Sequence, residues 1–304
     1  MRIFKTALAM VFTVLATQGY GFDLTHILFK AVVSNLPHNS YSSPASKSSR
    51  SSAPGPLSKQ DALALYSDEQ RRHSFDACED QFPGSRPLDK DVVPAHMKPL
   101  ALCSDHFAVL YSQTSKTPLV VVERLTADQL RNAAGEERTN QFFPDPRIPA
   151  AGSAALSDYS SQSPAVDRGH NAPAADAPNQ RAMAQSFSLS NSFPQQPTNN
   201  RKIWSKVEMD VRKFAMRARG NVFVFTGPMF DPGHETVGAN KVWKPTRIFK
   251  LVYDEASGKA WAYIQANAET PIERPVDYRA FVATTGLTLL EGIAVTGSIG
   301  RSPS

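Results

Sequence analysis

Five runs of mostly β-branched, aromatic and other apolar residues predict strands in this 304-residue chain. They cover residues 107–111, 118–123, 221–228, 248–253 and 260–264. Polar residues 112–117 separate the first two runs, and a turn at residues 254–259 separates the last two. Each of these two pairs therefore predicts an antiparallel hairpin.

A helical repeat of apolar residues predicts a long helix between Asn200 and Arg219. The positions that should face the core are Ile203, Val207, Val211, Phe214 and Ala215. Another face carries Asn200, Trp204, Glu208 and Arg212, which follow one another in steps of four residues. Gly220 is the predicted stop signal, since glycine readily adopts the left-handed conformation that ends many helices.

Capping signals predict three shorter helices. Their predicted spans are residues 127–132, 176–186 and 276–286. Thr126 is the predicted N-cap of the first, and Asp176, with Pro178 in the first turn, is the predicted N-cap of the second. Together, the strands and helices predict an α+β domain with a mixed, mainly antiparallel sheet.

The composition at the start of the chain differs from that of this domain. Residues 1–21 combine Arg2 and Lys5 with an apolar run at 7–16 and small residues near the end, which is typical of a signal peptide. The resulting prediction is a secreted or periplasmic protein. An uncleaved interfacial anchor and a mitochondrial transit peptide are the alternatives.

Residues 22–58 comprise an N-terminal segment and a Ser-rich stretch. This stretch predicts a disordered linker, because it has too little apolar surface to offset the entropy of ordering. We interpret it as a spacer, with tethering or contact with nucleic acid as alternatives. The folded domain is predicted at residues 59–292 and a flexible tail at residues 293–304.

Cys78 and Cys103 are the two cysteines of the chain. An exported protein meets an oxidising compartment, so we expect the two to form a disulfide. Two buried free thiols are the alternative, which an intracellular location would favour.

Candidate chemistry is concentrated in residues 166–176, where a histidine enters a polar, proline-broken loop. An imidazole titrates near neutrality, so His170 can take a proton from water, and Arg168 can hold a phosphate in front of it. About thirty residues downstream, Asn200 brings an amide to the first turn of the predicted long helix. A base, a phosphate-binding cation and a metal-binding amide together indicate phosphodiester hydrolysis.

Several blocks around these residues resemble the DNA/RNA non-specific endonuclease family in order and spacing. The blocks are Asp167-Arg168-Gly169-His170, Leu189-Ser190-Asn191, Pro194-Gln195, Asn200, Trp204, Glu208, Thr226-Gly227-Pro228 and Pro245-Thr246. The resemblance covers roughly residues 100–290. These are ββα-metal (His-Me finger) nucleases, among them secreted bacterial nucleases and the mitochondrial endonuclease G type. The resemblance implies a ββα-metal motif within the α+β domain.

The resemblance also implies a metal-dependent endonuclease that cuts both DNA and RNA and leaves 5′-phosphate and 3′-hydroxyl ends. His170 would be the general base, and Asn200 would be the one side chain in direct contact with Mg²⁺, or with Mn²⁺ in its place. Glu208 would hold water beside the metal. The further site residues implied are Arg168, Arg138 and Arg212, which would offset phosphoryl charge, and Asn191.

Some points stay open at this level. Arg147 is a second candidate for the role given to Arg138, because the alignment there can slip. Asn171 and Lys244 stand where the family usually has apolar residues, which leaves the substrate preference open. The alternative function is a non-cutting nucleic-acid-binding protein of the same fold. A third hypothesis is a structural exported protein with an accidental motif. A homodimer is left open.

The net charge supports nucleic-acid binding only modestly. The chain carries +5 at pH 7, and +3 without Arg2 and Lys5 of the predicted signal peptide. A phosphate-attracting surface must therefore be local. Its predicted members are Arg138, Arg147, Arg168, Arg181, Arg201, Lys202 and Arg212. The sequence shows no zinc-finger, basic-zipper or RNA-recognition signature, and no stable membrane insertion is predicted.

Overall fold

The computed structural model describes residues 57–298 except 161 and 163. In chain order, the strands are β1 (Pro99–Cys103), β2 (Phe107–Ser112), β3 (Thr117–Leu125), β4 (Asp167–His170), β5 (Ser192–Gln195), β6 (Val222–Met229), β7 (Thr236–Val237), β8 (Val242–Trp243), β9 (Arg247–Asp254), β10 (Lys259–Ala266) and β11 (Val276–Asp277). A seven-stranded antiparallel sheet has the order β1-β2-β3-β6-β9-β10-β11. β4 pairs with β5, and β7 pairs with β8, in two separate ribbons.

Helices lie before, between and after the strands. In chain order they are α1 (Lys59–Ala64), α2 (Ala127–Ala133), α3 (Leu156–Ser160), α4 (Gln180–Ser186), α5 (Ser205–Ala215) and α6 (Tyr278–Thr285). Short 3₁₀ turns cover Glu79–Gln81, Pro83–Ser85, Lys90–Val92, Ala95–Met97, Ala150–Gly152, Ala174–Asp176 and Leu189–Asn191. A π-helical turn, Asn199–Trp204, runs directly into α5.

The two faces of the large sheet bury different partners, because successive side chains of a strand point to opposite sides. On one face, Phe223 of β6 belongs to the same core cluster as Phe281 of α6. On the other face, Val224 of β6 packs with Leu130 of α2 and Val211 of α5. The sheet therefore separates α6 from the helices that accompany the candidate site.

The predicted strands are confirmed, and the two predicted hairpins are formed by β2 with β3 and by β9 with β10. The large antiparallel sheet and the surrounding helices confirm the α+β class. Sequence analysis did not predict β1, although this strand pairs with β2 along its whole length.

The long helix differs from its prediction at both ends. Its first turn, Asn199–Trp204, is π-helical, and α5 ends at Ala215 rather than at Gly220. A π turn holds more residues than an α turn, so it breaks the four-residue repeat of the predicted polar face. Trp204, which was placed on that face, is instead fully buried with Phe193 and Ile248.

Helix α4 begins later than predicted. Asn179, not Asp176, is its N-cap, and the Asn179 side chain accepts a hydrogen bond from the backbone N–H of Ala182. Asp176 lies in the preceding 3₁₀ turn and forms an ion pair with Arg212. The carboxylate that was expected to cap the helix therefore neutralises a cation of α5.

The predicted domain limit at residue 292 can be compared with the structure, whereas most of the predicted N-terminal segments lie outside the described residues. The predicted signal peptide and all but two residues of the segment 22–58 lie outside the described residues. At the other end, Ile293 and Val295 pack against the core, and Gly297 pairs with Lys259. Packed chain thus continues past residue 292, where a flexible tail was expected to begin, and residues 299–304 lie outside the described part.

Cys78 and Cys103 are joined by a disulfide, as predicted, with their Cα atoms 5.6 Å apart. Cys103 is the last residue of β1, so the bond ties the segment before the sheet to its first edge strand. None of the described helices is long and apolar enough to cross a membrane.

Candidate active site

The motif segments meet as two strands and a helix. β4 carries the Asp167–His170 motif and pairs antiparallel with β5, where His170 lies opposite Ser192. Gly169 is required for this close approach, because a Cβ at this position would lie 1.9 Å from Oε1 of Gln195. The π-helical turn and α5 follow β5 directly in the chain. This is the ββα arrangement that the sequence predicted.

His170 is 9% exposed and has two aromatic neighbours. Its ring centroid lies 5.1 Å from that of Phe142 and 4.9 Å from that of Phe187. Burial lowers the pKa of His170 to about 3, and the nearby charges of Arg138 and Arg168 lower it further. The imidazole is therefore neutral at physiological pH, the form that accepts a proton.

Nε2 of His170 is buried and has no hydrogen-bond partner in the described part of the chain. Buried polar atoms are nearly always partnered in folded proteins, so an unpartnered nitrogen on a neutral imidazole marks a functional position.

Asn191 lies behind His170 rather than in the cleft, and it is fully buried. Its Oδ1 accepts a hydrogen bond from the N–H of Ala172 at 2.9 Å, and its Nδ2 donates to the carbonyl oxygens of Ala172 and Ser186 at 3.0 and 2.9 Å. The Asn171 side chain donates to the Asn191 carbonyl at 3.0 Å. These bonds hold the backbone that follows the histidine.

Asn200 lies in the π-helical turn, and its amide is oriented by the first residue of β4. Nδ2 of Asn200 donates to Oδ2 of Asp167 at 2.9 Å. Arg201 donates to both oxygens of the same carboxylate, at 2.8 and 2.5 Å. With Nδ2 engaged, Oδ1 of Asn200 has no hydrogen-bond donor among the described residues. A neutral oxygen held in this way fits Mg²⁺, which prefers oxygen ligands and keeps several waters.

Glu208 lies on α5, eight residues after Asn200, and lines the same cleft. Burial raises the pKa of Glu208 to about 7, and Asp176 raises it as well, whereas Lys250 and Arg212 act in the opposite direction. The carboxylate forms no ion pair or hydrogen bond with the described residues. It is thus free to accept hydrogen bonds from water in the cleft.

The cleft between these elements has a volume of about 340 Å³. Its walls carry two arginines without carboxylate partners in the described chain. The guanidinium of Arg168 lies 4.5 Å from the ring centroid of Phe142, and that of Arg138 lies 4.9 Å from the ring centroid of Phe187. Nε of Arg168 is buried and has no hydrogen-bond partner among the residues that the structure describes. Both cations can therefore bind an anion that enters the cleft.

The other two candidate arginines are already paired. Arg212 donates to Asp176, which is 2% exposed, and it does not line the cleft. Arg147 is 7% exposed and forms an ion pair with Asp145, so it is not available for the role considered for it as the alternative to Arg138.

A buried polar group that sequence analysis missed lies beneath the motif. Nζ of Lys250 donates to Oγ1 of Thr226 at 2.6 Å and to the Asn171 carbonyl at 3.4 Å, and it lies 4.0 Å from Oε1 of Glu123. Nε2 of His106 lies 3.6 Å from Oε2 of Glu123. Burial raises the pKa of Glu123 well above its usual range and lowers that of His106 to about 4. The sequence signal that could have indicated this buried group was a charged residue in each of two apolar runs, Glu123 in 118–123 and Lys250 in 248–253.

A family model described as DNA/RNA non-specific endonuclease matches residues 84–295 of this chain. The chain belongs to the DNA/RNA non-specific endonuclease family. The match includes both strands of the ββα motif, the helix that follows and nearly the whole large sheet. Family membership therefore covers the candidate site and its scaffold.

Curated relatives include several nucleases. The human (Homo sapiens) protein named endonuclease G, mitochondrial, is 32% identical over 192 residues, which cover 59% of this chain and 63% of the relative. Nuclease C1 of Cunninghamella echinulata var. echinulata is 34% identical over 171 residues, 52% of this chain and 67% of the relative. The zebrafish (Danio rerio) protein named nuclease EXOG, mitochondrial, is 33% identical over 153 residues. That alignment covers 47% of this chain and 43% of the relative, so the chain spans less than half of that protein.

The fold is similar to that of a solved crystal structure, the EndoG/EndoGI complex, which describes the mechanism of EndoG inhibition. The TM-score is 0.60 at 26% identity, and the superposition covers 67% of this chain and 92% of the other. Nearly the whole of that chain is thus matched by the present fold.

Proposed function

We propose that this protein is a metal-dependent, sugar-non-specific endonuclease that hydrolyses phosphodiester bonds in DNA and RNA and leaves 5′-phosphate and 3′-hydroxyl ends. The observation that carries the proposal is the neutral imidazole of His170, whose Nε2 has no partner among the described residues, in a cleft with two arginines that form no ion pair with a described carboxylate. Membership of the endonuclease family and the names of the relatives support the same activity.

His170 acts as the general base in this proposal, since it removes a proton from the attacking water. Arg168 and Arg138 bind the phosphate and offset the charge that grows on its oxygens during attack. Phe142 and Phe187 contact each other and both pack against the imidazole, which limits its contact with solvent. The backbone bonds around Asn191 keep the base in position.

Asn200 is the proposed protein ligand of Mg²⁺, or of Mn²⁺ in its place, with Asp167 fixing the direction of the amide oxygen. When bound, the ion supplies positive charge that stabilises the phosphate and the leaving 3′ oxygen. Glu208 would orient water in the cleft. Arg212 would contribute little to the charge at the phosphate, because it is paired with Asp176.

A secreted or periplasmic location is part of the proposal. The charged and apolar pattern of residues 1–21 supports export. The disulfide between Cys78 and Cys103 also supports it, because such bonds persist in oxidising compartments. The vertebrate relatives are named as mitochondrial, so fractionation of the source cells is the measurement that decides between the two locations.

The test is digestion of supercoiled plasmid and of single-stranded RNA by the purified protein, with Mg²⁺ and with excess chelator. We expect both substrates to be degraded with Mg²⁺ and to stay intact with chelator, and the His170→Ala variant to leave both uncut. If the metal-supplied wild type binds DNA but cuts neither substrate, the protein is the non-cutting relative and the proposal is wrong.

A further inference from the structure

The exposed face of the helix beside the cleft carries an unusual set of side chains. We name these residues the basic stripe: Lys202, Lys206, Met209, Lys213, Met216 and Arg217. They follow one another at intervals of mostly three and four residues. From Lys206 onward this spacing places them on one side of α5 and the turn after it, and Lys202 is exposed in the π-helical turn that precedes α5. All are exposed, and Met209 and Met216, at 42% and 38%, are two of the three exposed large apolar side chains among the described residues.

The basic stripe borders the candidate site directly. α5 buries Val207 and Val211 on its core side, and it presents Glu208 to the cleft. Met209 and Lys213 follow Glu208 and Arg212 in sequence, which places them about 100° further around the helix, on the side away from the core. The stripe therefore continues the cleft wall onto the outer surface.

The cations of the stripe have no carboxylate partners in the part of the chain that the structure describes. In contrast, the neighbouring arginines Arg201 and Arg212 are paired with Asp167 and Asp176. Asp210 is the acidic residue that accompanies the stripe on α5, against four cations. The surface therefore carries a net positive charge.

The helix dipole does not account for this charge. Cations are favoured near the carboxyl end of a helix, which suits Lys213 and Arg217. Lys202 and Lys206 lie at the amino end, where the dipole disfavours a cation. A polyanion on the outer surface would make all four positions favourable at once.

We propose that the basic stripe binds the backbone phosphates of the nucleic acid that extends from the cleft. This inference rests on the proposed function and assigns the path of the substrate beyond the reacting phosphate. At a rise of about 1.5 Å per residue, the stripe is roughly 20 Å long. Each strand of a duplex has one phosphate per roughly 3.4 Å of helix axis, so a surface of this length extends beside several backbone phosphates. The flexible Met side chains can pack against sugars without reading base edges.

The experiment compares two charge-matched triple variants in the His170→Ala background, where DNA is bound and not cut. One variant is Lys206→Gln/Lys213→Gln/Arg217→Gln. The control replaces exposed lysines elsewhere: Lys59→Gln/Lys241→Gln/Lys259→Gln. The dissociation constant for a duplex longer than the stripe is measured over a range of salt concentrations. Thermal unfolding confirms that both variants fold.

Affinity falls as salt rises, and each lost phosphate contact makes the slope of log affinity against log salt less steep by about 0.9. The slope of the stripe variant should therefore be less steep by about 2 to 3. The control should keep the wild-type slope. A stripe variant with the wild-type slope, or a control that loses as much, would overturn the inference.

A second measurement separates this inference from the proposed function. With His170 restored, the stripe variant should cleave a small chromogenic phosphodiester at the wild-type rate and long DNA with a raised KM. Equal KM values for long DNA in the stripe variant and the wild type would contradict the inference that the basic stripe binds backbone phosphates. A wild type that cleaves no phosphodiester contradicts the nuclease, whereas the slopes measured with the non-cutting protein still test the stripe.

Discussion

Two arginine-containing regions lie close together in this protein, and they differ in how completely their polar atoms are partnered. In the first, Arg147 donates to both oxygens of Asp145 and to the carbonyls of Gln70 and Cys103. Asp145 also accepts hydrogen bonds from the Ser188 and Ser190 hydroxyls. These side chains of Arg147 and Asp145 are almost fully buried, at 1% and 0% exposure.

The second region is the cleft around His170, where the histidine is buried and the arginines, Asn200 and Glu208 are at least partly accessible. Nε2 of His170 and Nε of Arg168 have no partners in the described chain, and Glu208 has no bonded cation. The segment that contains Phe142 and Arg147 contributes to both regions. Each region therefore contains a buried polar side chain, Arg147 in one and His170 in the other, and the unpartnered atoms distinguish the cleft. Saturated polar groups stabilise the fold, and unsatisfied ones are available to a substrate.

The largest expected effect on the cleft comes from His170→Ala. The cleavage rate should fall about 100- to 10,000-fold, the usual cost of losing a general base. The free energy of unfolding should fall only by the packing that the ring makes with Phe142 and Phe187, because the neutral ring forms no hydrogen bond to a described residue. Initial rates on plasmid DNA and denaturant unfolding measure both quantities. The exposed His96→Ala variant is the control, and a His170→Ala rate near that of this control would contradict the assignment.

The largest expected effect on the saturated region comes from Arg147→Met. Asp145 would be left as a buried, unpaired carboxylate, so the free energy of unfolding should drop by about 3 to 5 kcal/mol. The folded fraction should keep its cleavage rate. Denaturant unfolding measures the loss. Arg131→Met, which breaks the exposed pair with Asp128, is the matched control and should cost less than about 1 kcal/mol. An equal effect in both variants would refute the contrast.

A somewhat smaller loss of stability is expected from Cys78→Ala/Cys103→Ala. The disulfide spans 25 residues, and in the chain-entropy model its removal costs about 3 kcal/mol. The bond lies beside the saturated region, since the Cys103 carbonyl accepts from Arg147, and the cleavage rate should be preserved. Mass spectrometry of non-reduced, exported protein should find the two cysteines joined. Two thiols that alkylate without reductant would contradict the bond.

The smallest effect is expected from Glu208→Gln, about 10- to 100-fold in rate. The pKa of Glu208 is raised to about 7, so its ionised fraction increases as pH rises through that value. The wild-type rate should therefore rise with pH and level off above about 7. A bound cation would lower the pKa of Glu208 and so move this rising, acidic limb of the pH–rate profile to lower pH. His170 is already neutral there, because its pKa lies near 3.

In Glu208→Gln, the acid limb should disappear from the plot of rate against pH. An unchanged limb in this variant would assign the titration to another group.

The sequence predicted the strands well, because runs such as residues 221–228 and 248–253 are long and apolar. The resemblance to the endonuclease family also placed His170, Asn200 and Glu208 in one site, and the three residues line one cleft. The strands follow from short-range patterns, which a sequence displays directly, whereas the site follows from the match of several separate blocks to the family.

Long-range pairing was harder to predict. Arg138 and Arg147 were both candidates for phosphate binding, and only the ion pair with Asp145 separates them. Asp176 looked like a helix cap because its partner, Arg212, is distant in sequence. The proximity of Lys250 to Glu123 was missed for the same reason, because the two residues lie on different strands and are distant in sequence. A charged residue inside an apolar run signals burial, but it does not name the partner.

The central claim is that the cleft uses a metal held by Asn200, and it is tested most directly by the cleavage rate as a function of Mg²⁺ concentration in wild type and Asn200→Ala. The account predicts a saturable rise for wild type, no activity with chelator, and slow cleavage by Asn200→Ala even at high Mg²⁺. DNA binding by the variant should persist, because the arginines supply most of the attraction. Wild-type cleavage in chelator, or a wild-type Mg²⁺ curve for Asn200→Ala, would contradict the claim.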